Sequence, residues 1–207
     1  MWNDRSYKRS MIMKQTKNKT YRIAILGILT AIIILQNFVP FLGYIPIPPL
    51  NPTIIHITVI VVAFVLGIKE GMMIGSVWGI VRLIKAYTLP ASPLDLLLFT
   101  NPMISVIPRI LVGLVAGYTI QIFRKRNKES LGMLVGSILG SLTNTILVLG
   151  FIALFYGNEY SASLGVSPTN LMRALAAIVA TNGVAEAIAA AFLAPLLSRA
   201  LIKGKRK

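Results

Sequence analysis

Apolar residues fall in six long runs, at 22–40, 53–67, 71–88, 103–123, 131–156 and 170–198, separated by short basic or proline-rich segments. A backbone in hydrocarbon must satisfy its own hydrogen bonds, so runs of this kind read as helices that cross a bilayer. One crossing takes about 20 apolar residues at a rise of about 1.5 Å each. The second and third runs are short for that purpose, and five crossings is the nearest alternative to six. The pattern predicts an all-α integral membrane protein with six transmembrane helices.

Charge orients the helices. The chain is 56% hydrophobic yet carries a formal net charge of +15. In a soluble protein that excess would suggest nucleic acid, but its distribution points to a lipid bilayer and to no nucleic acid. Arg5, Lys8, Arg9, Lys14, Lys17, Lys19 and Arg22 precede or open the first run, and Lys69 lies between the second and third. Arg124, Lys125, Arg126 and Lys128 lie between the fourth and fifth, and Arg199, Lys203, Lys205, Arg206 and Lys207 follow the sixth. All four places fall on one side of a six-span chain, and the positive-inside rule makes that side cytoplasmic, with both termini inside. The opposite connections, 41–52, 89–102 and 157–169, hold Asp95 and Glu159 and no Lys or Arg. The expected organisation is a basic cytoplasmic N-terminal segment (1–21), a six-helix membrane domain that binds substrate (22–200) and a basic cytoplasmic tail (201–207), in the plasma membrane. Residues 23–35 could open a signal peptide, but no small-x-small cleavage pattern follows, and the run reads as a retained span.

Composition narrows the chemistry. With no cysteine and one histidine, neither thiolate nor His-cluster metal sites are expected, and no intrinsic cofactor. No GxxxxGK[ST] motif occurs, so the chain has no P-loop for ATP. Catalytic residues are expected to be none: a GxSxG serine and a paired-Asp constellation are both missing.

Polar groups inside the spans are the functional candidates, because an ionisable side chain at membrane depth costs several kcal/mol unless paired, solvated or used. Arg109, beside Pro108, either offers its planar fork to a substrate carboxylate or snorkels to the interface. Glu186, well inside the sixth run, has Asn182 one helical turn before it. Asn144 sits in the fifth run among Ser141, Thr143 and Thr145, which read better as hydrogen-bonding glue between helices. His56 opens the second run. Arg82 and Lys85 either line the entrance to a pocket and attract anions or snorkel. Tyr44, Trp78 and Tyr87 are the aromatics able to stack on a ligand. Residues 40–52 hold five prolines, which exclude a helix and suit either a lid or an interfacial loop. The connection 88–102 is too apolar to be freely solvated and is expected to pack onto the bundle. Small residues are abundant on several runs, among them Ala24, Gly27 and Ala31 in the first and Gly132, Gly136 and Gly140 in the fifth. Such ridges let helices approach closely, inside the bundle or against a partner.

Four strings, IHITVIVVAFVLGIKEG (55–71), IPRILVG (107–113), GSLTNTILVLG (140–150) and NGVAEAIAA (182–190), resemble the substrate-binding S components of energy-coupling-factor (ECF) vitamin transporters. The resemblance covers most of residues 20–200 and looks most like the pantothenate-type members. It implies a six-helix protein that takes a small water-soluble vitamin from outside. It also implies partners: a transmembrane coupling subunit and two cytoplasmic ATPase subunits, which would bind the ATP. Family members dock on the coupling subunit through small residues in the first helix, commonly AxxxA; here Gly27 and Ala31 stand in, with Ala24 one turn earlier. Arg109 suits an anionic substrate, while Asn144, Asn182 and Glu186, with His56, Tyr44 and Trp78 nearby, suit hydroxyl and amide groups. Pantothenate is the expected ligand, with pyridoxine, a hydroxymethylpyrimidine or folate as alternatives within the family. A stand-alone carrier using Glu186 as an ion site is the alternative outside it.

Overall fold

The computed structural model describes residues 4–43 and 53–205, and these form an all-helical bundle. In chain order the helices are α1 (Asp4–Phe38), α2 (Pro40–Gly43), α3 (Ile55–Val65), α4 (Ile68–Thr88), α5 (Pro93–Phe99), α6 (Pro102–Ser105), α7 (Ile107–Lys125), α8 (Glu129–Ser163), α9 (Leu171–Ile178) and α10 (Val184–Lys205). A π-helical stretch, Val179–Gly183, joins α9 to α10. Among the described residues, three continuous stretches are long and apolar enough to cross a membrane: Pro102–Lys125, Glu129–Ser163 and Pro168–Lys203. Arg22–Phe38 and Ile55–Val65 are apolar but shorter.

The shortest of the six expected spans turns out to be the centre of the bundle. At 11 residues, α3 rises only about 16 Å, roughly half of a hydrocarbon core. It touches α1, α4, α7, α8 and α10, and nine of its residues are buried. A helix that is apolar all round belongs inside other helices. The main core forms around it, with Ile60, Phe64, Trp78, Val112 and Ile120. A tight turn then reverses the chain into α4. Gly67 holds φ +122° there, a region where a side chain would be strained.

Small residues set the spacing of the rest. A Cβ at Gly113 would lie 2.3 Å from the Gly71 carbonyl carbon, and one at Gly75 would lie 2.2 Å from the Arg109 carbonyl oxygen. Gly71 and Gly75 therefore bring α4 against α7 backbone to backbone, and Gly79 meets Ser105 and Val106 at the end of α6 in the same way. In α8, Gly132, Gly136 and Gly140 face Phe123, Phe64 and Ile60, so that glycine series packs inside the bundle.

Helix ends depart from the expected boundaries in several places: α1 begins at Asp4 rather than at residue 22, α10 runs to Lys205, and the short α2 opens the segment 40–52 whose prolines were expected to exclude a helix. The connection 89–102 contains α5, whose Leu98 is buried with Ile104 and Ile152, so it packs onto the bundle. The fourth span divides at Val106 into α6 and α7, which puts Pro108 in the first turn of α7, where a missing N–H costs nothing. The fifth continues beyond residue 156 to Ser163, through a break at Tyr156 with φ −138° and ψ 31°.

Candidate functional site

A cavity of about 380 Å³ lies at the end of the bundle where α3 and α7 begin and α4 finishes. Its walls come from Thr53 just before α3 and from α4, α5, α7, α8, the end of α9, the π-helical stretch and α10. One side is cationic. Arg109 is 5% exposed, and its guanidinium carbon lies 5.0 Å from the Trp78 ring centre and 5.8 Å from that of Phe99. Its Nη1 donates to the Ile104 carbonyl, which sits just before α7 begins. Stacking and that hydrogen bond fix the plane of the fork before any ligand arrives.

Arg82, from α4, stands 4.0 Å over the Phe99 ring. It forms an ion pair with Asp95 through Nη2 to Oδ1, with Nη1 donating to Oδ2 at 3.4 Å. Asp95 also accepts from the Ala91 amide at 3.1 Å, and its own amide donates to Ser92 Oγ at 3.0 Å. Ser92 is the N-cap of α5, with Pro93 in the first turn. The pair thus fastens α5 over the cavity, whose wall includes its Leu94, Leu98 and Phe99.

The opposite side is polar. Glu186 Oε1 accepts from the Thr53 amide at 2.8 Å, and Oε2 accepts from Thr145 Oγ1 at 2.9 Å. Both carboxylate oxygens are engaged, so the charge is oriented and partly compensated where α3, α8 and α10 meet. Asn144, 5% exposed, presents an Oδ1 with no hydrogen-bond partner among the described residues. Asn182 is half-buried in the π-helical stretch. Wider turns of this type recur at functional sites, and here one interrupts the regular helix between Asn182 and Glu186, yet both line the cavity. Leu149, Ile152 and Ile178 complete an apolar floor, and Tyr160 a polar edge. The arrangement offers a fixed cationic fork, two amides, a carboxylate acceptor and apolar surface: the groups needed to hold a small molecule with a carboxylate at one end and hydroxyls and an amide along its length.

Of the residues singled out from the sequence, Arg109, Asn144, Asn182, Glu186 and Trp78 converge on this cavity. His56 does not line it; fully buried in the first turn of α3, it sits behind the wall near Thr53 and Glu186. Tyr44 lies outside the described residues, as does most of the proline-rich segment. Tyr87 is exposed and away from the cavity. Arg82 lines the wall, whereas Lys85 turns away to donate to the Asn37 carbonyl. Thr145, read as glue, bonds across helices, and the residue it reaches is Glu186. Thr53, Asp95 and Tyr160 belong to the wall without having been foreseen there. For Asp95 a signal existed, since Ser92-x-x-Asp95 with proline between is a helix-start signature. On α1, Ala24, Gly27 and Ala31 are all exposed, and a Cβ at Gly27 would meet nothing within 4 Å.

Residues 21–198 match the family model described as the substrate-specific component of ECF transporters. The chain is 36% identical over 209 residues to the pantothenate transporter PanT of Leuconostoc mesenteroides, an alignment that covers 91% of this chain and all of that one. It is 34% identical over 202 residues to the pantothenic acid transporter PanT of Lactococcus lactis, covering 91% of this chain and 97% of that one.

Proposed function

The chain belongs to the substrate-specific components of ECF transporters, and on that premise we propose that it captures pantothenate at the outer face of the plasma membrane. The observation that carries the substrate is the pairing of a preset Arg109 fork with amides and a carboxylate acceptor across one cavity. In this arrangement Arg109 takes the carboxylate of pantothenate in a bidentate, charge-assisted contact. Asn144 and Asn182 meet its amide, Glu186 accepts from a hydroxyl, and Trp78 and the α5 leucines cover its methyl groups. The names of both similar transporters support the same ligand.

Six crossings with both termini cytoplasmic complete the reading. The lysines and arginines at the cytoplasmic connections and the cavity then lie at opposite ends of the helices, so the cavity faces outward. Delivery inward falls to a transmembrane coupling subunit and two ATPase subunits, with the exposed Ala24, Gly27 and Ala31 face of α1 as the docking stripe. Close approach across small residues is what makes such a stripe useful in lipid.

The test is titration of the purified chain with pantothenate, alongside mass spectrometry of small molecules released from it. Saturable, near-stoichiometric binding of pantothenate is expected, with uptake only when coupling and ATPase subunits are present. Binding of another vitamin instead would replace the substrate and keep the family. Ion-dependent uptake by the chain alone, abolished in Glu186→Gln, would overturn the proposed mechanism.

A further inference from the structure

A second cavity, of about 270 Å³, lies at the other end of the bundle, where α3 and α7 finish and α4 begins. Its inner wall is apolar, made by Ala63, Ile68 and Ile120. Gly117 lets the start of α4 pack closely on α7 at that wall: a Cβ there would come 2.9 Å from the Ile68 side chain. The rim is cationic, with Arg22, Lys69 and Arg124 against a single lining carboxylate, Glu70. Glu70 is engaged by Arg22. Arg124 donates through Nη2 to the Phe64 carbonyl at 2.9 Å and pairs with Glu129, just outside the lining, through Nε at 2.9 Å and Nη2 at 2.7 Å, which leaves Lys69 as the rim's cation without a carboxylate among the described contacts. These contacts orient two guanidinium groups, each with five N–H donors and so with donors to spare. Lys69 is exposed, and Gln121, also exposed, lines the same cavity. The end of α7 and the connection after it add Lys125, Arg126 and Lys128, all exposed, so this end of the bundle is basic among the described residues.

We propose that this cavity seats the phosphate of an anionic phospholipid headgroup. The assignment rests on the orientation proposed above, which puts this end at the inner headgroup layer. An apolar wall joined to a cationic rim matches a lipid at the junction of acyl chain and phosphate, and basic pockets between helices on the cytoplasmic side take such headgroups. A free phosphate would answer the rim alone and leave the wall without an occupant.

The experiment is native mass spectrometry of the full chain released from mixed micelles of phosphatidylglycerol and phosphatidylcholine, with pantothenate binding measured on the same samples. Wild type retains phosphatidylglycerol preferentially. Lys69→Gln, at an exposed position, lowers that preference about fivefold, the effect of one cation near a membrane surface. Gln121→Glu, which adds a negative charge without removing any contact, does the same, and neither variant changes pantothenate affinity. Equal retention of the two lipids by wild type, or an unchanged preference in both variants, overturns the proposal. So does stabilisation by millimolar inorganic phosphate, cancelled by the same substitutions, in the absence of any lipid preference. Loss of copurification with the coupling subunit at unchanged lipid preference makes the cavity a docking surface and likewise overturns it. A wild-type chain that prefers phosphatidylglycerol and binds no pantothenate removes the proposed substrate and leaves the lipid site standing.

Discussion

Gly75→Ala adds one methyl group some distance from any ligand and should still weaken pantothenate binding. The new Cβ would start 2.2 Å from the Arg109 carbonyl oxygen and 2.8 Å from its carbonyl carbon. Both are backbone atoms, so no side-chain rotation relieves the contact. Carbon and oxygen need somewhat more than 3 Å, and α4 and α7 must separate by roughly 1 Å. Overpacking of this kind costs about 1–3 kcal/mol, offset by up to about 1 kcal/mol from replacing a helical glycine. The larger consequence is for Arg109, whose backbone is the part displaced and whose guanidinium is held by the Trp78 and Phe99 rings and the Ile104 carbonyl. Losing the geometry of one charge-assisted hydrogen bond is worth about 1.5–3 kcal/mol, a tenfold to hundredfold fall in affinity. Calorimetric titration of Gly75→Ala, Arg109→Ala and the double variant tests this as a cycle. If the methyl acts through Arg109, it costs little further affinity once Arg109 is already gone. Gly150→Ala, where a Cβ meets nothing within 4 Å, is the control and should leave binding unchanged. Wild-type affinity in Gly75→Ala, or full additivity with Arg109→Ala, would refute the claim that the glycine ridge positions the cation.

Other expectations are more direct. Arg109→Ala should lose at least about tenfold in pantothenate affinity by titration, the loss of a bidentate carboxylate contact. Ala31→Leu, on the exposed face of α1, should bind pantothenate normally and fail to copurify with the coupling subunit; normal copurification would remove that stripe as the docking face. Asp95→Asn leaves Arg82 without its carboxylate where both side chains are about 10% exposed, and should lower stability by about 2–4 kcal/mol in thermal unfolding. Adding Arg82→Gln to that variant should recover part of the loss, because the buried charge is then gone.

What the sequence made legible and what it hid divide along a physical line. Hydropathy depends on the bilayer, which acts on every residue alike, so the apolar runs marked all the major helices. The expected span 53–67 corresponds to α3, which is both short and central. Its apolarity reports burial by other helices as readily as burial by lipid, and composition does not separate the two. Ionisable residues at depth were legible for a related reason: their cost in hydrocarbon demands an explanation at each position. That cost singled out Arg109 and Glu186, and the cavity holds both. Hidden were the partners that lower the cost. Glu186 is held by the Thr53 amide, from a position 133 residues away, and by a threonine that could equally have joined any two helices. Arg82 gave a visible signal as an arginine within an apolar run, but its partner Asp95 lies in a connection whose helix, α5, is seven residues long and too short for a periodicity to establish itself. The glycines at 71, 75 and 79 stood in plain view at four-residue spacing, yet such a ridge says only that something comes close. That the close neighbour is the backbone of Arg109 follows from the turn at Gly67 and the order of packing. The same step that brings α4 onto α7 delivers Arg82 and Arg109 to one wall, so the cationic half of the site is a consequence of small residues that carry no charge at all.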